Sequence, residues 1–107
     1  MSERFIGSTL ALVLAGLAAC TAAGGQEASV RGKQLFTDQG CYGCHTIEKF
    51  GTPIANDLSH VGSKYDLAFL TRWLENPSAQ KPTAHMPKIA LSPGEAEALA
   101  AYLASLR

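Results

Sequence analysis

Cys41-Tyr42-Gly43-Cys44-His45 decides the reading of this 107-residue chain. Two cysteines three positions apart, followed at once by a histidine, fall on one helical turn. Each thiol can add across a haem vinyl group, and the imidazole can swing under the porphyrin to the iron. C-x-x-C-H is the attachment signature of c-type haem, and histidine is the usual proximal ligand of haem iron.

Other uses of a C-x-x-C pair fit less well. A redox dithiol of the thioredoxin kind belongs near a βαβ pattern, whereas Gly32 to Gly40 is a helix-like run. A structural zinc site needs four protein ligands. Cys41, Cys44, His60 and His85 could supply them, but their spacing matches no compact finger and leaves His45 without a role. The third cysteine, Cys20, ends an apolar leader, so no free thiol is left over, as suits an oxidising compartment.

The leader reads as residues 1–19. Arg4 gives a weakly positive start, set against Glu3, and Phe5 to Ala19 is almost wholly apolar or small. That length suits a secretory signal and is short for a membrane span. It closes in Leu17-Ala18-Ala19-Cys20, which resembles a lipoprotein lipobox and implies cleavage before Cys20, with lipid on that residue. Several acyl chains would anchor the protein stably, where one chain is marginal. An ordinary cleavage site or an uncut anchor are the alternatives. Residues 20–29 are small and polar, without periodicity, and read as a flexible tether.

Residues 30–107 form a single 78-residue domain without internal repeats. A core of that size rarely suffices alone, and a buried haem would act as a staple. Lys plus Arg and Asp plus Glu are nine each in the chain, and eight each without Arg4 and Glu3. That balance argues against nucleic-acid binding and strong long-range steering.

Three helices are expected. Arg31 to Gln39 carries Leu35 and Phe36 on one side and runs into Gly40. Asp66 to Asn76 sets Leu67, Leu70 and Leu74 on a buried stripe and stops at Pro77. The third starts at Ser92-Pro93-Gly94-Glu95, a capping box with proline at its first position, and repeats Leu99, Tyr102, Leu103 and Leu106 on one face. Thr46 to Lys64 and Pro77 to Leu91 read as loops, and nothing reads as a strand. The fold class expected is all-α, three main helices and loops around one haem.

A second axial ligand is best sought at Met86, in His85-Met86-Pro87. It is the one methionine outside the leader. Thioether sulfur is soft, and His/Met ligation raises the reduction potential. The neighbouring proline restricts the backbone. His85 and His60 are the alternatives.

With these residues in place the chain resembles a small class I cytochrome c over nearly all of residues 30–107. Gly32 and Phe36 sit where that family packs its first helix across the last, with Tyr102-Leu103 opposite. Trp73-Leu74-Glu75-Asn76-Pro77, then Lys81-Pro82, then Met86-Pro87, is similar to the family's helix, proline-rich loop and methionine. One departure stands out. The family's proline, whose carbonyl accepts the proximal imidazole proton, is missing before Asp57-Leu58. Ala55-Asn56 stand there instead, leaving either Pro53 or the Asn56 backbone for that role. Trp73 suits either a haem propionate or the core. Tyr65 and Tyr102 suit packing. Lys49, Lys64, Lys81 and Lys88 read as solvated lysines or as a ring around a haem edge.

The resemblance implies one covalently attached haem c held by Cys41, Cys44, His45 and Met86. It implies a one-electron carrier, not an enzyme, with a quinol-oxidising complex and a terminal oxidase or reductase as partners. With Cys20 lipidated, the place would be the periplasm or another extracytoplasmic membrane face. A permanently docked haem subunit of a larger oxidoreductase and a haem-based ligand sensor are the rival expectations, with a zinc-stabilised interaction domain behind them.

Overall fold

In the computed structural model the described residues are 20–107, with side chains from residue 25. The leader of residues 1–19 and the side chain of Cys20 lie outside them. The elements are α1 (Cys20–Asp38), β1 (Thr46–Ile47), β2 (Phe50–Gly51), α2 (Leu67–Glu75), α3 (Pro77–Gln80) and α4 (Pro93–Ala104). Single 3-10 turns occupy Cys41–Gly43 and Val61–Ser63. The architecture is all-α in the main, as expected, with α1 and α2 both packed on α4.

α4 is the centre of the fold. Its capping box is complete: Ser92 Oγ accepts from Glu95 N–H at 3.2 Å, and Glu95 Oε1 accepts from Ser92 N–H at 2.8 Å. Ala96, Ala98, Leu99, Ala100, Tyr102 and Leu103 are all buried, more of the helix circumference than one leucine stripe. The alanines make this possible, because small side chains let neighbouring helices close in on either flank. At Gly32 of α1 the approach is closest. A Cβ there would collide with the Ala98 carbonyl oxygen and lie 2.7 Å from Tyr102 Cβ. Phe36, one turn on, is 1% exposed and meets Tyr102 edge-on at 6.0 Å and Tyr42 at 4.7 Å.

Four expectations need correction. α1 runs back through residues 20–29, which read as a flexible tether. Alanine and glutamine propagate a helix once its C-terminal half is docked, although Gly24 and Gly25 each weaken it by about 1 kcal/mol relative to alanine. Leu67 is 49% exposed while Leu70 and Leu74 are buried. Leu67 is the first residue after the Asp66 cap, whose carboxylate accepts from Phe69 N–H at 2.9 Å, and it overhangs the core. Pro77–Gln80, read as loop, forms α3, with Pro77 at its first position and buried. Thr46 to Lys64 is not all loop, since β1 and β2 pair antiparallel around Glu48-Lys49. Thr46, Ile47 and Phe50 favour strands, but two-residue strands are too short to show alternation.

Candidate functional site

The elements leave a cavity of about 520 Å³ between α2, α4, the end of α1 and the loops on either side. Its wall is mainly apolar, with Phe36, Leu70, Leu74, Leu99 and Leu103 among its side chains. Cys41, His45 and Met86 also face it. Cys44 is exposed and is not among its lining residues.

The cysteine turn follows from the way α1 ends. Gly40 takes φ 77°, a left-handed conformation suited to glycine. The chain then turns through Cys41–Gly43, and His45 N–H donates to Cys41 O at 3.0 Å. Cys41, Cys44 and His45 therefore share one turn. Both cysteines are free thiols, which removes a disulfide between them. Burial pushes the Cys41 thiol pKa up, favouring the protonated thiol.

His45 Nδ1 lies 2.7 Å from the Asn56 carbonyl oxygen. A carbonyl can only accept, so Nδ1 carries the proton and Nε2 keeps its lone pair for a metal. Of the two acceptors left open by the sequence, the Asn56 backbone has the role and Pro53 does not. The loop carrying Asn56 lies along the haem-motif segment. Ile54 and Ala55 N–H donate to Cys44 O at 3.2 and 2.6 Å, and Leu58 N–H donates to Thr46 O at 2.8 Å. Thr46 Oγ1 donates to Asp57 Oδ2 at 2.6 Å and Ser59 N–H to Asp57 Oδ1 at 2.9 Å. The Thr46 hydroxyl first, then the Ser59 donors, hold the Asp57 carboxyl below its ordinary pKa.

On the other wall, Met86 is half-buried, and Trp73 Nε1–H donates to its sulfur at 3.2 Å. The sequence offered Trp73 a propionate or the core; the structure gives its N–H to the methionine. Tyr65, Phe69 and Trp73, one turn of chain apart, stack along the cavity at centroid separations of 4.6 and 6.2 Å. Tyr65 thus borders the site, whereas Tyr102 packs in the core. His85 lines the cavity beside Met86. His60 does not; its Nδ1 lies 3.1 Å from the Arg107 carbonyl oxygen. Of the four lysines singled out, Lys81 faces the cavity, and Lys49, Lys64 and Lys88 are exposed away from its lining.

A flat apolar macrocycle with a metal at its centre suits this donor set. Imidazole and thioether are both iron ligands, the wall is apolar, and a thiol stands at its edge. A closed zinc site does not suit it. Among the described residues no three of His, Cys, Asp and Glu gather as a metal cluster would require. Sequence reasoning missed the Thr46–Asp57–Ser59 network and the Trp73–Met86 bond. Nothing local in the sequence signals either, because both join residues more than ten positions apart through loops.

Among known proteins, the chain is 30% identical over 86 residues to cytochrome c oxidase subunit 2 of Alkalihalophilus pseudofirmus, covering 72% of this chain and 25% of that protein. The chain thus spans about a quarter of the curated relative it matches. The cytochrome c family profile matches residues 29–107, which hold every side chain lining the cavity, and on that match the chain belongs to the cytochrome c family.

Proposed function

We propose that this cytochrome c domain is a one-electron carrier with a single haem c, attached through Cys41 and Cys44 and ligated by His45 and Met86. One observation carries the proposal: an imidazole and a thioether, 41 residues apart in sequence, line one apolar cavity, each gripped by a hydrogen bond. The haem supplies a ferric/ferrous couple. The chain does the rest. Asn56 orients the imidazole, Trp73 steadies the sulfur, and the leucine wall excludes water, so both ligand atoms are held in place. No substrate bond is made or broken, which is carrier chemistry, not enzymology.

The partners that fit are an electron donor such as a quinol-oxidising complex and an acceptor such as a terminal oxidase or reductase. Similarity to part of an oxidase subunit supports an oxidase as acceptor. The same similarity favours a second reading, a haem subunit permanently docked in a larger oxidoreductase. Copurification at high salt separates a docked subunit from a shuttle. Among the described residues no helix is long and apolar enough to cross a membrane. Anchoring is proposed through lipid on Cys20, on the extracytoplasmic face or in the periplasm. Mass spectrometry finding an unmodified Cys20 in the mature protein would end that proposal.

The carrier assignment is tested at the sixth ligand. Ferric iron bound by thioether sulfur shows a weak far-red band that bis-histidine haem lacks. Met86→Ala is expected to abolish it, lower the potential and let ferrous haem bind carbon monoxide, while His85→Ala and His60→Ala keep the band. Rapid carbon monoxide binding by the unmutated protein would favour a sensor, and loss of the band in His85→Ala alone would move the ligand to His85.

A further inference from the structure

We infer that Asp57 is the positioning residue of the proximal imidazole: by tying residues 56–59 to Thr46, it fixes the Asn56 carbonyl that holds His45 Nδ1–H. The inference rests on His45 being the iron ligand proposed above.

The carbonyl in question belongs to the peptide joining Asn56 to Asp57. Residues 51–57 are all exposed, so no buried side chain of that stretch fixes its orientation. Neither Asn56 nor Asp57 is proline, and φ is therefore unlocked at both. Rotation of this peptide would swing the oxygen away from the imidazole and into water. Hydrogen bonds on both sides oppose it. Upstream, Ile54 and Ala55 N–H converge on Cys44 O. Downstream, a parallel bridge joins Thr46 and Asp57, with Leu58 N–H donating to Thr46 O at 2.8 Å, and Asp57 engages both carboxylate oxygens, one with Thr46 Oγ1 and one with Ser59 N–H. Ser59 Oγ accepts in turn from Glu48 N–H at 2.6 Å.

The geometry makes this strap specific to His45. Thr46 follows the imidazole directly in sequence, and Asp57 follows the acceptor carbonyl directly. The Thr46–Asp57 bond therefore spans the same gap as the His45–Asn56 bond, one residue along. Slack in the first becomes slack in the second. A carboxylate acceptor also makes the strap stronger than a neutral one would. Because the Nδ1–H bond raises imidazole basicity, loosening it leaves a weaker donor to ferric iron, and the potential rises.

A local role competes. The Ser59 N–H to Asp57 bond is the bond of an Asx-turn, which would stabilise the loop without touching His45. The matured, haem-loaded protein distinguishes the two through Asp57→Ala, Thr46→Val and Asp57→Asn. Three quantities are read: reduction potential, exchange of the His45 Nδ1 proton by NMR in the ferrous state, and thermal stability. Asp57→Ala and Thr46→Val are expected to speed the exchange about fivefold, the factor of one lost hydrogen bond, and to raise the potential together. Asp57→Asn, which keeps an amide oxygen for Ser59 N–H, should fall between wild type and Asp57→Ala. If Asp57→Ala and Thr46→Val lower stability but leave exchange and potential unchanged, Asp57 is only a loop cap and the inference is overturned. If Asp57→Asn shifts the potential as far as Asp57→Ala while Thr46→Val does nothing, the effect is one of charge, and positioning is again overturned. A wild-type protein without His45-ligated haem overturns the function proposal itself, and shows this before any variant is made.

Discussion

Replacing Gly32 by alanine tests the helix crossing on which the cavity depends. The new Cβ would overlap the Ala98 carbonyl oxygen and stand 2.7 Å from both Ala98 C and Tyr102 Cβ. Carbon atoms pack best at about 3.5–4.0 Å, so α1 and α4 must separate by roughly 1 Å. The obstacle is backbone, which cannot rotate aside as a side-chain tip can. Overpacking of this kind costs about 1–3 kcal/mol, occasionally more, and a rigid obstacle places Gly32 at the upper end. Alanine returns about 1 kcal/mol through its better helix propensity. The net loss is then about 2 kcal/mol, or roughly 8–16 °C in Tm for a domain of this size. Gly94, also in a helix, has nothing within 4 Å of its would-be Cβ, so Gly94→Ala is the control and should be neutral or mildly stabilising. Thermal unfolding of the haem-loaded proteins, followed by circular dichroism, measures both. A Gly32→Ala protein melting within about 3 °C of wild type would refute the crossing geometry.

Trp73→Phe removes the N–H that donates to Met86 sulfur while keeping most of the ring stack. Without that donor the sulfur would be a better ligand to ferric iron in the proposed site, so the potential should fall by about 20–40 mV, or about 0.5–1 kcal/mol at 59 mV per decade, and a spectroelectrochemical titration showing a rise would contradict it. Glu95 titrates below its ordinary range because the Ser92 N–H, and then the Ser92 hydroxyl, bond its carboxylate. A depressed folded pKa contributes stability above the unfolded value near 4 and loses it as pH falls through the folded one; Glu95→Gln should therefore flatten that acid loss, read from urea midpoints between about pH 5 and pH 2. Tyr102 shifts the other way, because burial disfavours its phenolate. Its contribution holds below about pH 10 and fades above it, and Tyr102→Phe should remove that alkaline component, read from urea midpoints between about pH 9 and pH 11.

What the sequence shows and what it hides divide by distance along the chain. The Cys41–His45 turn, the Ser92 capping box and the Gly32–Phe36 spacing are local, set within one or two helical turns, and the structure contains all three. The hairpin at Thr46 to Gly51 escaped because two residues per strand give alternation no room. Leu67 fits the leucine stripe but sits where its helix begins, and helical periodicity does not say where the core stops. The bonds that matter most for the site join residues 11 and 13 positions apart through loops: His45 to Asn56, Thr46 to Asp57, and Trp73 to Met86. No period governs such pairs. For the imidazole acceptor, the lack of a proline before Asp57-Leu58 could narrow the choice to two carbonyls, but only the folded loop selects one.

The same division has a consequence for how the protein can be altered. Phe36, Leu99 and Leu103 are at once buried core and cavity wall. Among the described residues no polar or charged side chain is buried, and half of the buried α4 positions are alanines that contribute little apolar area of their own. A bound haem therefore completes the core, and a change in the wall alters fold and cofactor environment together. The groups that bond His45 and Met86 lie elsewhere. Asn56 and Asp57 are on an exposed loop, and Trp73 and Met86 are half-buried at the margin. Removing an exposed hydrogen bond costs about 1 kcal/mol or less, whereas cutting a buried leucine to alanine costs about 2–5 kcal/mol. Substitutions at Asp57, Thr46 and Trp73 should thus move the potential with little loss of stability, Gly32→Ala should lower stability with little change in potential, and those at Leu99 and Leu103 should change both. A reduction potential that tracked stability across all three sets would show that wall and margin act as one unit.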